Sequence, residues 1–332
     1  MPLSNEAQYG VRPLSEAINN LPVTPTTIRE SGLFLPEYMT TTNVEVESKD
    51  NELVLVQSVP RGTPGKPVAE KRGGKKIFQT VHLPKDDVVR ADDVQNVRAF
   101  GTENTASAVN DKVNDKLASM KGDTEYTREH LQLGALQGKV LDADGTVIYD
   151  FNQEFGIKRN VFDIKLSSDT TKAGSVLDKY LRSLMPNVAG DTFKGWVVFA
   201  SPEWLEEFIT HKSIMDLYAR FEGKAKVYTD DNSNTDVLFR HRNVDFIEYN
   251  YQFGSEVDIK PGEALLAPVG TKKTLKEYFA PADMNATVNS KALPYYASRE
   301  KLQHDKGWSL HTQSNCLPVA LRPKALATLK MS

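Results

Sequence analysis

Asp142 and Asp144 stand one residue apart in the string Lys139-Val140-Leu141-Asp142-Ala143-Asp144-Gly145-Thr146-Val147-Ile148-Tyr149-Asp150. Paired carboxylates can hold a divalent cation or supply acid/base groups. The same residues also read as a hairpin, with Val140 and Leu141 before an Asp-Gly turn and Thr146, Val147, Ile148 and Tyr149 after it. Asp-Gly favours a tight turn because both central residues tolerate positive φ. Two further acidic pairs, Asp86-Asp87 and Asp92-Asp93, each precede Val and fit first-turn helix positions or a bound loop better than a reaction centre. The six histidines, at 82, 130, 211, 241, 304 and 311, show no ligand spacing, and no Ser or Cys sits in a GxSxG-type elbow. They read as structural. Gly62, Gly65 and Lys66 lack the GxxxxGK[ST] spacing of a phosphate-binding loop.

The string from Asp142 to Thr146 resembles the first motif of the haloacid-dehalogenase phosphatases, DxDGT after an apolar strand. That resemblance implies Asp142 as the phosphoryl-accepting nucleophile and Asp144 as general acid/base beside Mg²⁺. Three features favour the hairpin. The motif normally opens its domain, whereas here about 140 residues precede it. A β-branched strand follows Thr146 where a loop into a helix belongs. No partner acidic pair follows at the family's spacing, since Gly190-Asp191 runs into Thr, Phe, Lys and Gly. The phosphatase stays as an alternative.

The elements that must position these residues are unusual. Val109, Val113, Leu117 and Met120 recur along one helical face, and residues 104–137 predict a helix of roughly 50 Å, interrupted or kinked at Gly122-Asp123. So narrow an apolar stripe reads as a spine lying across a sheet, one face covered and one free. Residues 1–41 carry Pro at 2, 13, 22, 25 and 36 with scattered apolar anchors, among them Leu33 and Phe34. Such an arm needs a surface supplied by its own domain, another domain or another subunit.

Residues 42–58 alternate as a strand pair through Val44, Val46, Leu53 and Leu55, and residues 77–83 return as strand. Between them, residues 59–76 hold Arg61, Lys66, Lys71, Arg72, Lys75 and Lys76 against the single acid Glu70. Residues 42–83 therefore read as a two-stranded ribbon with a basic tip. A free ribbon is marginal in water, which makes this one a candidate intersubunit arm.

From Phe151 the pattern turns α/β. A strand is expected at 160–166, a helix at 171–185 stopped by Pro186, a buried strand at 196–200, and a helix capped by Ser201 with Pro202 in its first position. The tail predicts strands at 274–279, 295–302, 308–312, 317–321 and 325–329.

Length and composition agree with this layout. The 332 residues, 39% hydrophobic and 26% charged, suffice for two domains with buried cores. No apolar run approaches a membrane span, and the first residues do not form a signal peptide. One cysteine rules out an internal disulfide framework and fits a reducing compartment. A net charge of −3 leaves room only for local, weak contact with DNA.

Arm, ribbon, spine helix, hairpin, inserted α/β unit and returning β tail resemble, in that order, the major capsid proteins of tailed bacteriophages, specifically the lambda-type "major capsid protein E" family. The matching stretches are LPVTPTTIRESGLF (21–34), VHLPKDDVVRADDVQNVRAFGTEN (81–104) and EHLQLGALQGKVLDADGTVIYDFNQEFG (129–156). The resemblance implies an α+β, Hong Kong 97-type fold. Its parts would be an N-arm (1–41), an E-loop (42–83), a peripheral domain (84–165, with spine 104–137 and hairpin 139–150) and an α/β axial domain (166–270). The tail (271–332) would return through the peripheral domain and end in the axial one.

The resemblance also implies a structural protein without enzymatic activity, cofactor or metal. It would assemble with itself, as hexamers and pentamers, into the icosahedral head around double-stranded DNA, in the virion after assembly in the host cytoplasm. Rings of this kind need head-to-tail contacts. Arg61, Lys66, Lys71, Arg72, Lys75, Lys76, Leu33 and Phe34 are the expected subunit-interface residues. Scaffolding, portal and decoration proteins are the expected partners, with the scaffold a separate protein because no extra segment precedes the arm. A membrane partner is not expected. A tail-tube subunit is a further alternative, but a β-sandwich tube has no obvious use for so long a helix.

Overall fold

The computed structural model describes residues 10–21, 26–47, 75–95, 105–219 and 237–332. Helix α1 (Val11–Asn20) and the single turn α2 (Thr27–Glu30) come first, followed by strands β1 (Leu35–Tyr38) and β2 (Asn43–Glu47). β3 (Lys75–Gln79) and β4 (Val81–Arg90) lead into the short helix α3 (Ala91–Gln95). The spine is α4 (Thr105–Gln137), and behind it come β5 (Lys139–Leu141), β6 (Val147–Asp150) and α5 (Phe151–Phe155). An alternating segment follows: β7 (Asn160–Asp163), α6 (Ala173–Val188), β8 (Gly195–Ala200), α7 (Pro202–Thr210) and α8 (Lys212–Ala219). It continues through β9 (Val237–His241), β10 (Val244–Glu248) and β11 (Glu263–Val269). The described strands end with β12 (Leu275–Phe279), β13 (Tyr296–Lys301), β14 (Gly307–Ala320) and β15 (Ala327–Lys330).

Two sheets carry this chain. One runs β1-β12-β14-β13, with β4 also along β14; the other runs β7-β15-β11-β8-β10-β9. β8, Gly195-Trp-Val-Val-Phe-Ala200, is buried at every position, as an apolar run covered on both faces requires. Its inward Val197 and Phe199 join a core shared with the first sheet, which includes Leu133 of α4 and Leu317 of β14. Trp196 and Val198 face the opposite core, with Leu177 of α6 and Trp204 of α7. Ser201 caps α7 by accepting from the Trp204 N–H at 3.3 Å, with Pro202 in the first turn as the sequence predicts.

Several expectations need correction. The tail strands at 308–312 and 317–321 are one fourteen-residue strand, β14. Between the two expected segments, Ser314 donates to the Pro294 carbonyl and Asn315 to that of Pro281, both at 2.8 Å. Those bonds satisfy the buried Ser314 and Asn315 side chains within the strand. Pro186 does not stop α6, which runs through it to Val188. So close to the C-terminus, the ring forfeits only one bond of the last turn. Asp86 and Asp87 lie on β4, where they face His311 and Lys116; only Asp92 and Asp93 occupy a helix's first turn.

The spine also departs from expectation. It passes Gly122 and Asp123 without a break. Its first half is as predicted, with Val113, Leu117 and Met120 buried in a small core with Leu14 and Ile18 of α1 and Leu310 of β14. Its second half is not half-wet: every residue from Arg128 to Leu136 is buried. Hydrophobic periodicity missed this because the burying partners are the arm, β5 and β14, and several of the buried side chains are charged.

Candidate functional site on the spine helix

Lys121, Glu125, Arg128 and Gln132 are spaced by four, three and four residues, which puts them on one face of α4. All four are buried, with Glu125 at 1% exposure and Arg128 at 4%. Lys121 donates to the carbonyls of Ile18 and Leu21 at 2.9 and 2.8 Å, which fastens the end of α1 to the spine. Its Nζ lies 5.1 Å from the Tyr295 ring centre, and burial lowers its pKa.

Arg128 is the hub. Its Nε and Nη2 donate to the two oxygens of Glu277 on β12, at 3.0 and 2.7 Å. This is the bidentate geometry that a planar guanidinium favours. Nη1 donates to the Tyr295 hydroxyl, which in turn donates to Glu125, and Glu125 also pairs with Arg29 of α2. Gln132 Nε2 donates to Glu277 at 3.1 Å. Burial alone would lower the Arg128 pKa, but Glu277, Tyr295 and Glu125 outweigh it and hold the guanidinium charged. One network thereby ties the arm, the spine, β12 and the Tyr295 segment. Desolvation offsets much of the attraction in such a network, so it contributes placement more than net stability.

Next to Arg128 in the chain, the Glu129 carboxylate accepts from the Ile28 N–H at 2.9 Å. The chain then carries Leu33 and Phe34 into the shared core of the same molecule, at 3% and 8% exposure. Both residues are therefore accounted for within one chain.

The Asp142–Thr146 segment folds as a hairpin turn. Asp142 N–H donates to the Thr146 carbonyl at 2.8 Å, and Gly145 N–H to that of Asp142 at 3.0 Å. Gly145 takes φ +85°, whereas Asp144 keeps negative φ, so the connection is a three-residue loop with a single left-handed glycine and not the two-residue turn expected. Both carboxylates serve the turn: Asp142 accepts from Ala143 N–H at 2.7 Å and Asp144 from Thr146 N–H at 2.8 Å. Those bonds to Thr146 hold Asp144 below its ordinary pKa, the opposite of what a general acid needs. Asp144 borders a cavity of about 220 Å³ whose other walls include Tyr126, His130 and Phe253, with no second carboxylate among them. No group of three His, Cys, Asp or Glu converges as a metal site among the described residues.

Of the basic interface candidates, Arg61, Lys66, Lys71 and Arg72 lie outside the described residues, and Lys75 is described only as backbone of β3. Lys76 is paired within its own chain, donating to Glu154 Oε2 at 2.8 Å. β3 pairs with β2, Val44 opposite Phe78, while the expected return through Leu53 and Leu55 also lies outside the described residues. Among the described residues no helix is long and apolar enough to cross a membrane.

The sequence reasoning missed the spine network entirely. A signal was present: Lys121, Glu125, Arg128 and Gln132 prolong the stripe of 113, 117 and 120 on the covered face.

Comparison with known proteins agrees with the fold. The major capsid protein of Pseudomonas phage KPP10 is 24% identical over 318 residues, covering 89% of each chain. That of Salmonella phage Felix O1 (isolate Felix O1-VT1) is 22% identical over 362 residues, covering 98% of this chain and 97% of its own. The crystal structure of the putative capsid protein of an E. coli CFT073 prophage superposes with a TM-score of 0.59 at 12% identity, over 97% of this chain and 99% of that one. The mature capsid of bacteriophage PhiM1 gives a TM-score of 0.50 at 8% identity, over 94% and 89%. Nothing found favours a phosphatase. The family described as phage major capsid protein E matches residues 10–331, and with that match this chain, a structural coat protein and not an enzyme, belongs to that family.

Proposed function

We propose that the chain assembles as hexamers and pentamers of an icosahedral head enclosing double-stranded DNA. The family match over residues 10–331 carries this reading. In it, residues 1–41 are the N-arm, 42–83 the E-loop, 84–165 the peripheral domain, 166–270 the axial domain, and 271–332 the return through both. The ribbon supports an interface role: β2 and β3 form a two-stranded sheet of their own, joined to neither larger sheet. Its base is anchored, since Phe78 packs edge-on against Tyr149 and Phe151. The basic run of residues 61–75 continues in sequence into this anchored base, which supports a contact with a neighbouring subunit. Arg61, Lys66, Lys71, Arg72 and Lys75 are the contact residues of this reading. Scaffolding, portal and decoration proteins are its partners, DNA contact is non-specific, and assembly takes place in the host cytoplasm.

Deletion of residues 61–76 tests it. The variant is expected to keep its circular dichroism spectrum and to form no closed shells under negative-stain electron microscopy. Shells of normal size from the variant would show that the basic stretch is dispensable.

A further inference from the structure

Glu129 meets the arm at a point that the spine network does not use. Its Oε1 accepts from Ile28 N–H at 2.9 Å, and the hydroxyls of Thr26 and Tyr249 and the N–H of Arg29 lie against the same carboxylate. The residue is 1% exposed. Oε2 and the Tyr249 hydroxyl, both buried, find no settled hydrogen bond among the described residues, a place that a carboxyl proton would fill. We propose that Glu129 is a proton-operated latch: with its proton on, the turn at 26–30 stays seated on the spine, and with it off the turn lifts.

Burial pushes the Glu129 carboxyl up from 4.5 to about 7, against the opposing pull of the Ile28, Thr26, Tyr249 and Arg29 donors. The charged and titratable groups around it are Arg29 on the arm, Glu125 and Arg128 on its own helix, Glu277 on β12, Tyr295, and Tyr249, Tyr251 and Asp258 on the segment after β10. Arg29 and Arg128 are neutralised by Glu125 and Glu277, and Asp258 is bound to the N–H groups of Phe253, Gly254 and Ser255. Lys121 donates to the Ile18 and Leu21 carbonyls, so among the described residues no unpaired cation is left to hold Glu129 ionised when seated. A lifted arm returns it to water and to an ordinary carboxyl pKa. The seated pKa is the raised one, so seating is strongest below pH 4.5 and weakens as pH rises through about 7.

Hydrogen exchange of the full-length protein tests the latch, with the rates of a peptide spanning 26–34 corrected for the intrinsic effect of pH. Protection of that peptide is expected to fall on the order of 50-fold between pH 5 and pH 8, as the two carboxyl pKa values require. Glu129→Gln, neutral at both, should stay protected with no pH dependence. Equal protection of the wild type at the two pH values, or dependence retained in the Gln variant, overturns the proposal. Should the Gln variant fail to fold, Thr26→Val decides: losing a hydroxyl donor to the ionised form must move the midpoint upward, and an unmoved or lowered midpoint refutes the latch.

Discussion

At the scale of residues, the Arg128–Glu277 pair separates a structural role from a decorative one. Glu277→Gln leaves a buried guanidinium without its carboxylate, and the loss of one partner from such a pair costs about 3–5 kcal/mol. Urea denaturation of unassembled subunits should show that loss, whereas Arg128→Met with Glu277→Met should recover much of it. Equal stability of Glu277→Gln and wild type would show that the network is slack. The exposed aspartates are expected to behave oppositely. Asp142→Asn should form normal shells by electron microscopy, and neither it nor the wild type should release phosphate from an aryl phosphate in the presence of Mg²⁺. Turnover that the substitution abolishes would restore the phosphatase. Residue types alone gave the hairpin aspartates an interest they do not keep, because a DxDG string means one thing in a turn and another at the end of a core strand. The buried charges went unnoticed for the converse reason: a charged residue on a long helix reads as wet until its covering partner is known.

At the scale of elements, legibility followed hydrophobic pattern. The all-apolar strand at 195–200, the Ser201-Pro202 helix start and the hairpin at 139–150 were readable, since each depends on its own few residues. What failed was anything decided by a distant partner: the continuity of β14, the passage of α6 through Pro186, and the depth to which the spine sinks. Gly134 marks that depth. A Cβ there would stand 2.4 Å from the Lys139 carbonyl oxygen, because β5 turns straight back against the helix. Gly134→Ala is therefore expected to destabilise the subunit by about 1–3 kcal/mol in thermal unfolding, although alanine is the better helix former. Stabilisation instead would mean that helix and hairpin separate easily.

For the whole molecule, the order of the described elements was the most legible feature, because spine helix, hairpin, α/β segment and β tail each leave a distinct compositional trace. How the parts close on one another was not, and β15 shows why. It lies between β7 and β11, antiparallel to one and parallel to the other, with Leu329 opposite Ala264 and Phe162. A ribosome that has delivered every earlier strand of this sheet has still not delivered the one that joins β7 to the rest. Until it does, β7 and β11 each present an open edge, and the sheet exists as two fragments. Completion of this sheet thus waits for β15, so a nascent chain that has made β11 but not β15 still carries two open edges at which it could associate wrongly.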